Sequence, residues 1–205
     1  MIKLIEPTRW VTLVQNLNTA MIESSILSYR VPILADIFVF SYPIYLLGLY
    51  GWWWIKKDIL PKVSALIIWA NVAITVIINI SIQFFIDKAR PNIVLWLIDQ
   101  KQETILHKFL PSSSFPSDHA AVSMSIAVAS ILRWILHKDT KYIWFWSIGI
   151  IFSGIMCSSR IMTAVHRPTD IIAGMCVGII VPLLLILPGP HKQWQKIATR
   201  IAQKI

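Results

Sequence analysis

Long apolar stretches separated by short polar segments dominate the pattern of hydrophobic and polar positions along the chain. Five of them are apolar on nearly every face and reach about the 20 residues that a helix needs to cross the hydrocarbon core of a bilayer. They are too long for strands, so the pattern predicts helices. The five windows lie at about 33–55, 62–86, 117–136, 142–159 and 169–188. The sequence therefore predicts an all-α integral membrane helix bundle with five to six transmembrane helices.

The two ends of the chain differ from this apolar centre. Residues 1–30 scatter charged side chains among apolar ones, with neither the unbroken apolar run nor the small-residue cleavage site of a signal peptide. An amphipathic helix at the membrane interface, anchored by Trp10, or a short additional span fits them better. We predict a single domain over 1–205, with a transmembrane core at 31–188 and a basic cytoplasmic tail at 189–205.

Composition argues against a soluble domain. Only 14% of the 205 residues are charged and 56% are hydrophobic, whereas a soluble domain carries about 25% charged residues. The formal net charge of +9 does not require a nucleic-acid partner, because the basic residues lie in short loops between apolar spans. Cys157 and Cys176 lie in apolar stretches, so we expect both to be buried.

The basic residues also predict which side of the membrane each loop faces. Ten of them, against two acids, lie in loops at 56–62, 133–141 and 192–204, and the positive-inside rule places those loops in the cytoplasm. Six tryptophans cluster at the same boundary: Trp52, Trp53, Trp54, Trp134, Trp144 and Trp146. We therefore expect a multi-pass protein of the inner or plasma membrane with a cytoplasmic C-terminus and an extracytoplasmic loop at 87–116.

Three polar segments fall on that outer side. They are Arg90-Pro91 after the second span, Ser114 to His119 at the start of the third, and Ser159-Arg160 with His166 and Asp170 between the fourth and fifth. Ionisable side chains at membrane depth are costly and are functional candidates by default. Each segment alone is weak, because a single His, Arg-Pro or His-x3-Asp most often has only a structural role. Their joint occurrence on one side favours a shared site.

These side chains suit the transfer of a phosphoryl group. The transition state spreads negative charge over three oxygens, and Arg90 and Arg160 offer planar forks that can hold them. A helix starting at Ser117 points backbone N–H groups at the same opening, which favours an anion. His166 and Asp170 are four residues apart and would share a helical face, so that the carboxylate can orient the ring.

The three segments resemble the type 2 phosphatidic acid phosphatases, a family that shares its site with vanadium haloperoxidases. The family pattern is Lys-x6-Arg-Pro, then Pro-Ser-Gly-His, then Ser-Arg-x5-His-x3-Asp. The third motif is complete here, but Asp118 replaces the glycine of the second and Gln83 replaces the lysine of the first. We do not expect Lys88 to substitute for that lysine. Gln83 lies two helical turns before Arg90 on its face, whereas Lys88 is two residues away and points elsewhere.

The resemblance implies a phosphatase that works through a phosphohistidine. His166 would attack the phosphorus, Asp170 would orient it, and His119 would protonate the leaving group as general acid. The phosphate would be held by Arg90, Arg160, Ser117, Gln83 and Asp118. We expect no metal and no other cofactor, because the segments offer few carboxylates against the several that a two-metal centre usually needs.

With these two departures from the family pattern, the chain resembles the bacitracin-resistance type of undecaprenyl-diphosphate phosphatases. That resemblance implies hydrolysis of a polyprenyl diphosphate to the monophosphate, which recycles the cell-wall carrier lipid. The alternative is another lipid phosphatase of the family, acting on phosphatidylglycerophosphate, phosphatidic acid or the 1-phosphate of lipid A. An inactive transporter or scaffold could also have five spans, but the intact motif histidines argue against it. Expected partners are the lipid phosphate substrate and membrane lipid, with no nucleic acid, and the oligomeric state stays open.

Overall fold

The computed structural model describes residues 2–3, 5–37, 59–91, 113–138 and 141–204, with isolated positions between 44 and 55. Helices make up nearly all of this described chain. They are α1 (Thr8–Glu23), α2 (Ser25–Ile37), α3 (Ile59–Phe85), α4 (Asp118–His137), α5 (Lys141–Met162), α6 (Pro168–Leu185) and α7 (Pro188–Lys204). Two short strands, β1 (Ile2–Lys3) and β2 (Ile86–Asp87), pair in parallel and join the N-terminus to the chain just after α3.

Three of the described helices, α3, α4 and α6, are long and apolar enough to cross a membrane. They confirm the second, third and fifth predicted spans and the prediction of a helical membrane protein. Helix α5 covers the fourth window, and Ser147–Met162 within it is a shorter apolar stretch. Most of the window at 33–55 lies outside the described residues, as does most of the predicted outer loop.

Helix α4 packs against α3, α5 and α6, and its contact with α6 is unusually close. A Cβ atom at Gly174 would collide with the carbonyl oxygen of Ser117, and one at Gly178 would collide with that of Ala121. Glycines four residues apart let two helix backbones approach, which is a common way of packing helices in a membrane. This contact brings the start of α4 against the start of α6.

A buried polar stripe runs along the face of α3 that looks into the bundle. Its members, spaced by four residues, are Asn71, Thr75, Asn79 and Gln83, and each is at most 5% exposed. Because unpaired polar groups are costly in a membrane interior, such side chains must find partners. Thr75 donates to Ser125 Oγ at 3.0 Å, and Asn79 and Gln83 reach the start of α4. The stripe thus fixes α3 against α4.

The N-terminal helices pack on the bundle. Along α1, Val14, Asn18 and Met21 form one buried face, and Asn18 Nδ2 donates to the carbonyl oxygen of Met162 at the end of α5 at 2.9 Å. Within the segment predicted at 1–30 as an interfacial helix, residues 8–23 and 25–30 are helical, and α1 also contacts protein. Helix α2 lies along α5 as well.

The basic tail predicted at 189–205 is mostly helix α7. Its Ala198 and Ala202 pack against Val63 and Ile67 at the start of α3. The expectation that both cysteines are buried is wrong for one of them: Cys157 is buried, but Cys176 is exposed on α6. A membrane helix is apolar on its lipid-facing side too, so apolar neighbours in sequence do not imply burial.

Candidate active site

The three motif segments meet at one end of the bundle. This end collects the end of α3, the start of α4, the end of α5 and the start of α6. Bonds across it join Gln83 to Asp118, His166 to Ser114, and Lys88 to Asp170. We expected a shared site from the order of the motifs along the helices, and the structure places the three segments together.

His166 lies in the tight turn between α5 and α6 and is 4% exposed. The turn closes when the N–H groups of Val165 and His166 both donate to the carbonyl oxygen of Arg160, at 3.1 and 3.2 Å. Ala164 adopts the left-handed region, with φ of 52°, which is uncommon for a residue with a side chain. The backbone of this turn therefore directs the histidine ring into the bundle.

The two ring nitrogens of His166 have different partners. Nδ1 lies 3.0 Å from the carbonyl oxygen of Ser114, and a carbonyl can only accept, so Nδ1 carries the proton. Nε2 lies 3.5 Å from Arg160 Nη2. The nitrogen with the lone pair, which a nucleophile needs, therefore faces the arginine.

Asp170 does not orient the ring in the way that the four-residue spacing suggested. Its Oδ2 lies 3.7 Å from His166 Nδ1, beyond hydrogen-bond distance, and accepts instead from the N–H of Arg167 at 2.9 Å. Helix α6 begins only at Pro168, so His166 precedes the helix and the shared-face geometry does not apply. Asp170 acts on His166 as a nearby charge, and Ser114 provides the direct hydrogen bond.

Burial is the largest influence on the charge of His166, and it lowers the pKa of the ring to about 4. Asp170 opposes this shift, whereas the positive charges of Arg160 and Arg90 add to it. At neutral pH the ring is therefore uncharged.

The two motif arginines and the second histidine surround this ring. Arg160, at the end of α5, is buried, and Arg90 is exposed in the segment after β2. His119, in the first turn of α4, lies within electrostatic range of Arg160, His166 and Arg90. The site therefore brings two guanidinium groups and two imidazoles into mutual electrostatic range.

Ser117 immediately precedes α4 and is fully buried. Its N–H donates to the carbonyl oxygen of Asp170 at 3.0 Å, so this N–H does not face the opening as we expected of it. Its hydroxyl oxygen has no hydrogen-bond partner among the residues that the structure describes. The hydroxyl, rather than the N–H of Ser117, is the group that remains for a ligand.

The two positions that depart from the family pattern bond to each other. Gln83 Nε2 donates to Asp118 Oδ1 and to the carbonyl oxygen of Pro116, each at 3.0 Å. Asn79 Nδ2 makes the same two contacts, at 2.6 and 3.1 Å. Both amide hydrogens of Gln83 are thus committed to the protein, which differs from our expectation that Gln83 and Asp118 hold the phosphate.

The expectation that Lys88 points away is wrong. Helix α3 ends at Phe85, so the helical-face argument does not extend to Arg90. Lys88 lies in the extended segment that follows, is 2% exposed, and its ammonium bonds to Asp170 Oδ1 at 2.6 Å.

Four contributors to the site were missed from the sequence. For Lys88, the one indication in the sequence was its position near the first motif. Asn79 could have been found because it lies four residues before Gln83 in the polar stripe of α3. Glu6 and Thr169 also bond to Lys88, and Glu6, far away along the chain, carried no signal. In the part of the chain that the structure describes, no three His, Cys, Asp or Glu side chains are grouped to hold a metal ion.

Comparisons with known proteins agree with the motifs. The chain is 33% identical over 81 residues to the bacitracin transport permease protein BcrC of Bacillus licheniformis, covering 38% of this chain and 34% of that protein. It is 34% identical over 83 residues to an undecaprenyl-diphosphatase of Sulfolobus acidocaldarius, covering 39% and 37% respectively. The chain thus spans little more than a third of the length of these curated relatives.

The fold also resembles a solved structure. The crystal structure of Aquifex aeolicus LpxE matches with a TM-score of 0.53 at 21% sequence identity, covering 85% of this chain and 92% of that one. At that identity the likeness shows a shared fold alone. The model of the PAP2 superfamily matches residues 64–193, which hold all three motifs and more than half of the chain, and the protein therefore belongs to the PAP2 superfamily.

Proposed function

We propose that this protein is a lipid phosphatase that hydrolyses a polyprenyl diphosphate, such as undecaprenyl diphosphate, to the monophosphate. The observation that carries the phosphatase assignment is the environment of His166. Its proton is held on Nδ1 by the Ser114 carbonyl oxygen, and its Nε2 faces the guanidinium of Arg160. A neutral nucleophile beside a fixed positive charge is what an incoming phosphate requires.

In the first step, Nε2 of His166 attacks the terminal phosphorus. A P–N bond forms as the P–O bond to the lipid phosphate breaks, and His119 gives a proton to the departing oxygen. Arg90 and Arg160 stabilise the charge on the equatorial oxygens, and the hydroxyl of Ser117, which is buried without a protein partner among the described residues, can donate to one of them.

In the second step, water attacks the phosphohistidine and the P–N bond breaks. His119, now neutral, accepts the proton from the water, so inorganic phosphate leaves and both histidines return to their starting forms. The charge of Asp170 at 3.7 Å from Nδ1 stabilises the ring while it carries the phosphoryl group. Gln83 and Asp118 hold the loop before α4 and act on the phosphate only through it.

Two features support a diphosphate over a monophosphate substrate. The first is the replacement of a lysine by the neutral Gln83. Cleaving a diphosphate releases a phosphate, which is already a good leaving group and needs less electrostatic help. The second is the partial similarity to an undecaprenyl-diphosphatase. With this substrate, we infer that the site faces the extracytoplasmic side of an inner or plasma membrane and that α7 is cytoplasmic.

A substrate panel tests the proposal. Purified protein in detergent is assayed for phosphate release from undecaprenyl diphosphate, phosphatidic acid, phosphatidylglycerophosphate and lipid A 1-phosphate, with His166→Ala as the blank. We expect kcat/KM for the diphosphate to exceed that for each monophosphate by at least about tenfold, a difference of roughly 1.4 kcal/mol in transition-state binding. A faster reaction with any monophosphate would reject the diphosphate assignment, and no release from any of them would reject the phosphatase.

A further inference from the structure

The ammonium group of Lys88 is the centre of a buried cluster beside the motif residues. Nζ donates to Glu6 Oε2 and Thr169 Oγ1, each at 2.5 Å, and to Asp170 Oδ1 at 2.6 Å. Thr169 Oγ1 in turn donates to Glu6 Oε2 at 2.6 Å. An ammonium has three N–H donors, so all three are used within the protein. Lys88 therefore has no donor left for a phosphate oxygen.

The charges of this cluster depend on one another. The side chains of Lys88, Glu6 and Asp170 are 1%, 3% and 0% exposed. A buried charge is tolerated when it is paired, and removing one partner leaves the other uncompensated. Lys88 is thus the counter-ion that allows Asp170 to stay charged while it lies beside His166.

The backbone of Lys88 reaches the other partner of His166. The N–H of Ser114 donates to the carbonyl oxygen of Lys88 at 2.8 Å, and the N–H of Lys88 donates to Ser113 Oγ at 3.3 Å. The carbonyl oxygen of Ser114 is the group that accepts from His166 Nδ1. One residue therefore holds both groups that act on Nδ1, the Ser114 carbonyl through its backbone and Asp170 through its side chain.

The N-terminal segment supplies the third side of the cluster. Strand β1 pairs with β2, with Ile2 opposite Ile86 and Lys3 opposite Asp87, directly before Lys88. Glu6 lies three residues after Lys3 and forms an ion pair with the ammonium group of Lys88. The segment is anchored again where Asn18 of α1 bonds to the end of α5. Residues 2–18 are thus fixed at both ends against the elements that carry the motifs.

We propose that Lys88 is a positioning residue that aligns His166 through Asp170 and Ser114, and that Glu6 and Thr169 hold Lys88 in place. The N-terminal segment is then part of the catalytic machinery, although it lies outside the three motifs. This inference rests on the proposed phosphatase activity, in which His166 is the nucleophile. It assigns Lys88 a role in turnover and not in substrate binding.

We test the role by measuring kcat and KM of three variants: Lys88→Met, Glu6→Gln and the double variant. Lys192→Met, on the exposed face of α7, is the matched lysine control. Because a small misplacement of a reacting group can cost about 100-fold, we expect Lys88→Met to lower kcat by about that factor and to change KM less than about threefold. Glu6→Gln, which keeps the shape but loses a charged hydrogen bond, should lower kcat about tenfold. The double variant should be no slower than Lys88→Met, since Glu6 acts through Lys88.

Two outcomes would overturn the proposal. A raised KM with unchanged kcat in Lys88→Met would make Lys88 a substrate-binding residue, and equal rates in Lys88→Met and Lys192→Met would give Lys88 no role in turnover.

A second measurement does not need activity or the more severe variant. The titration of His166 is followed by NMR of 15N-histidine-labelled protein, with His166→Ala to assign its signals. The groups that face this ring are Arg160 from α5, Arg90 after β2, His119 from α4 and Asp170 from α6. Glu6→Gln removes the negative charge that shares the Lys88 ammonium with Asp170, so Lys88 neutralises Asp170 more fully. This disfavours the protonated ring, so the titration of His166 should move to lower pH. A purely structural role of the cluster would leave the titration of the folded fraction unchanged, and that result would overturn the proposal. Wild-type protein that releases no phosphate would reject the proposed function alone, because the titration still reports on the alignment.

Discussion

Helices α3 and α4 are joined by polar contacts at both ends, and the two ends are built differently. At the site end, neutral amides of α3 bind Asp118 and the Pro116 carbonyl oxygen. At the opposite end, Arg133 of α4 donates from Nε and Nη2 to Ser64 Oγ of α3, at 3.0 and 2.8 Å. In the first case the α3 side chains arrange a loop that carries chemistry. In the second a charged side chain closes on a neighbouring helix.

The difference shows that buried charge in a membrane protein does not by itself mark a reaction site. Arg133 is 2% exposed and Arg160 is 7% exposed. Burial alone would therefore select Arg133, which lies away from the motifs, as the candidate site residue. Arg160 differs because it faces the lone pair of a neutral histidine. Substitutions at the site end should therefore lower activity, and substitutions at the opposite end should lower stability.

The largest expected effect is that of His166→Ala. Nε2 of His166 is the ring nitrogen that lies beside Arg160, so turnover should fall to the rate of the blank and no phosphoenzyme should be trapped. Folding should persist, which thermal unfolding in detergent checks. Activity near that of the wild type would reject the mechanism and would remove the distinction between the two ends.

The next largest effect should separate Arg160 from Gln83. Removing one preorganised donor from a transition-state site costs about 100- to 1000-fold in kcat, and we expect Arg160→Ala to lie in that range. Gln83→Ala removes two hydrogen bonds, to the Pro116 carbonyl oxygen and to Asp118, but Asn79 keeps the same two contacts. We therefore expect a loss of about tenfold or less.

Because Gln83 and Asp118 bond to each other, their substitutions should not be additive. Gln83→Lys should pair with Asp118 and leave diphosphate hydrolysis little changed, whereas adding Asp118→Gly frees the lysine and should favour monophosphates. The wild type, Gln83→Lys, Asp118→Gly and the double variant form a double-mutant cycle when their rates are measured on both substrate types. Additive effects would mean that the two positions act independently, and a Gln83→Ala loss as large as that of Arg160→Ala would give Gln83 a direct role.

At the opposite end, Ser64→Ala should lower stability and leave chemistry intact. It removes the oxygen that accepts two N–H groups of Arg133, and leaving a buried charged donor short of an acceptor costs about 1–3 kcal/mol. We expect a lower unfolding midpoint in detergent with kcat and KM unchanged per folded molecule. Ser81→Ala, at an exposed position of the same helix, is the control. A lowered kcat in Ser64→Ala would show that the two ends are coupled.

The smallest effect is that of mild acid. The reactive form of His166 is neutral, and its pKa is lowered to about 4 from 6.5. The acid limb of kcat/KM that this ring sets should therefore reach half of its height only near about pH 4. In the same window the unfolded chain binds the proton and the folded chain does not. The contribution of His166 to stability is therefore complete above about pH 6.5 and is lost as pH falls to about 4. Activity already halved at pH 6.5 would contradict the buried, neutral ring.

The sequence predicted the part of this arrangement that depends on topology. Segments at alternating ends of successive spans must meet on one side, so the collection of Arg90, His119, Arg160 and His166 followed from the order of the motifs. The stripe from Asn71 to Gln83 and the Gly174-x3-Gly178 spacing were not predicted, although polar and small residues at helical intervals are visible in the sequence.

What could not be predicted depends on where helices end and on contacts between distant segments. Because α3 stops at Phe85, Lys88 turns towards Asp170, and because α6 starts at Pro168, the Ser114 carbonyl becomes the partner of His166. Arg133 was assigned to a cytoplasmic loop, but α4 continues to His137 and buries it. A one-turn difference in a helix boundary changes the neighbours of each of these residues.

The glycine contact between α4 and α6 also limits how a long lipid can reach the site. Backbones that touch at Gly174 and Gly178 leave no width for a hydrocarbon chain between these two helices, and the bond from Ser117 to Asp170 closes the same seam at the level of the motifs. The tail of a substrate must therefore lie along another side of the bundle. Entry of the phosphate end from such a side would not require α4 and α6 to separate.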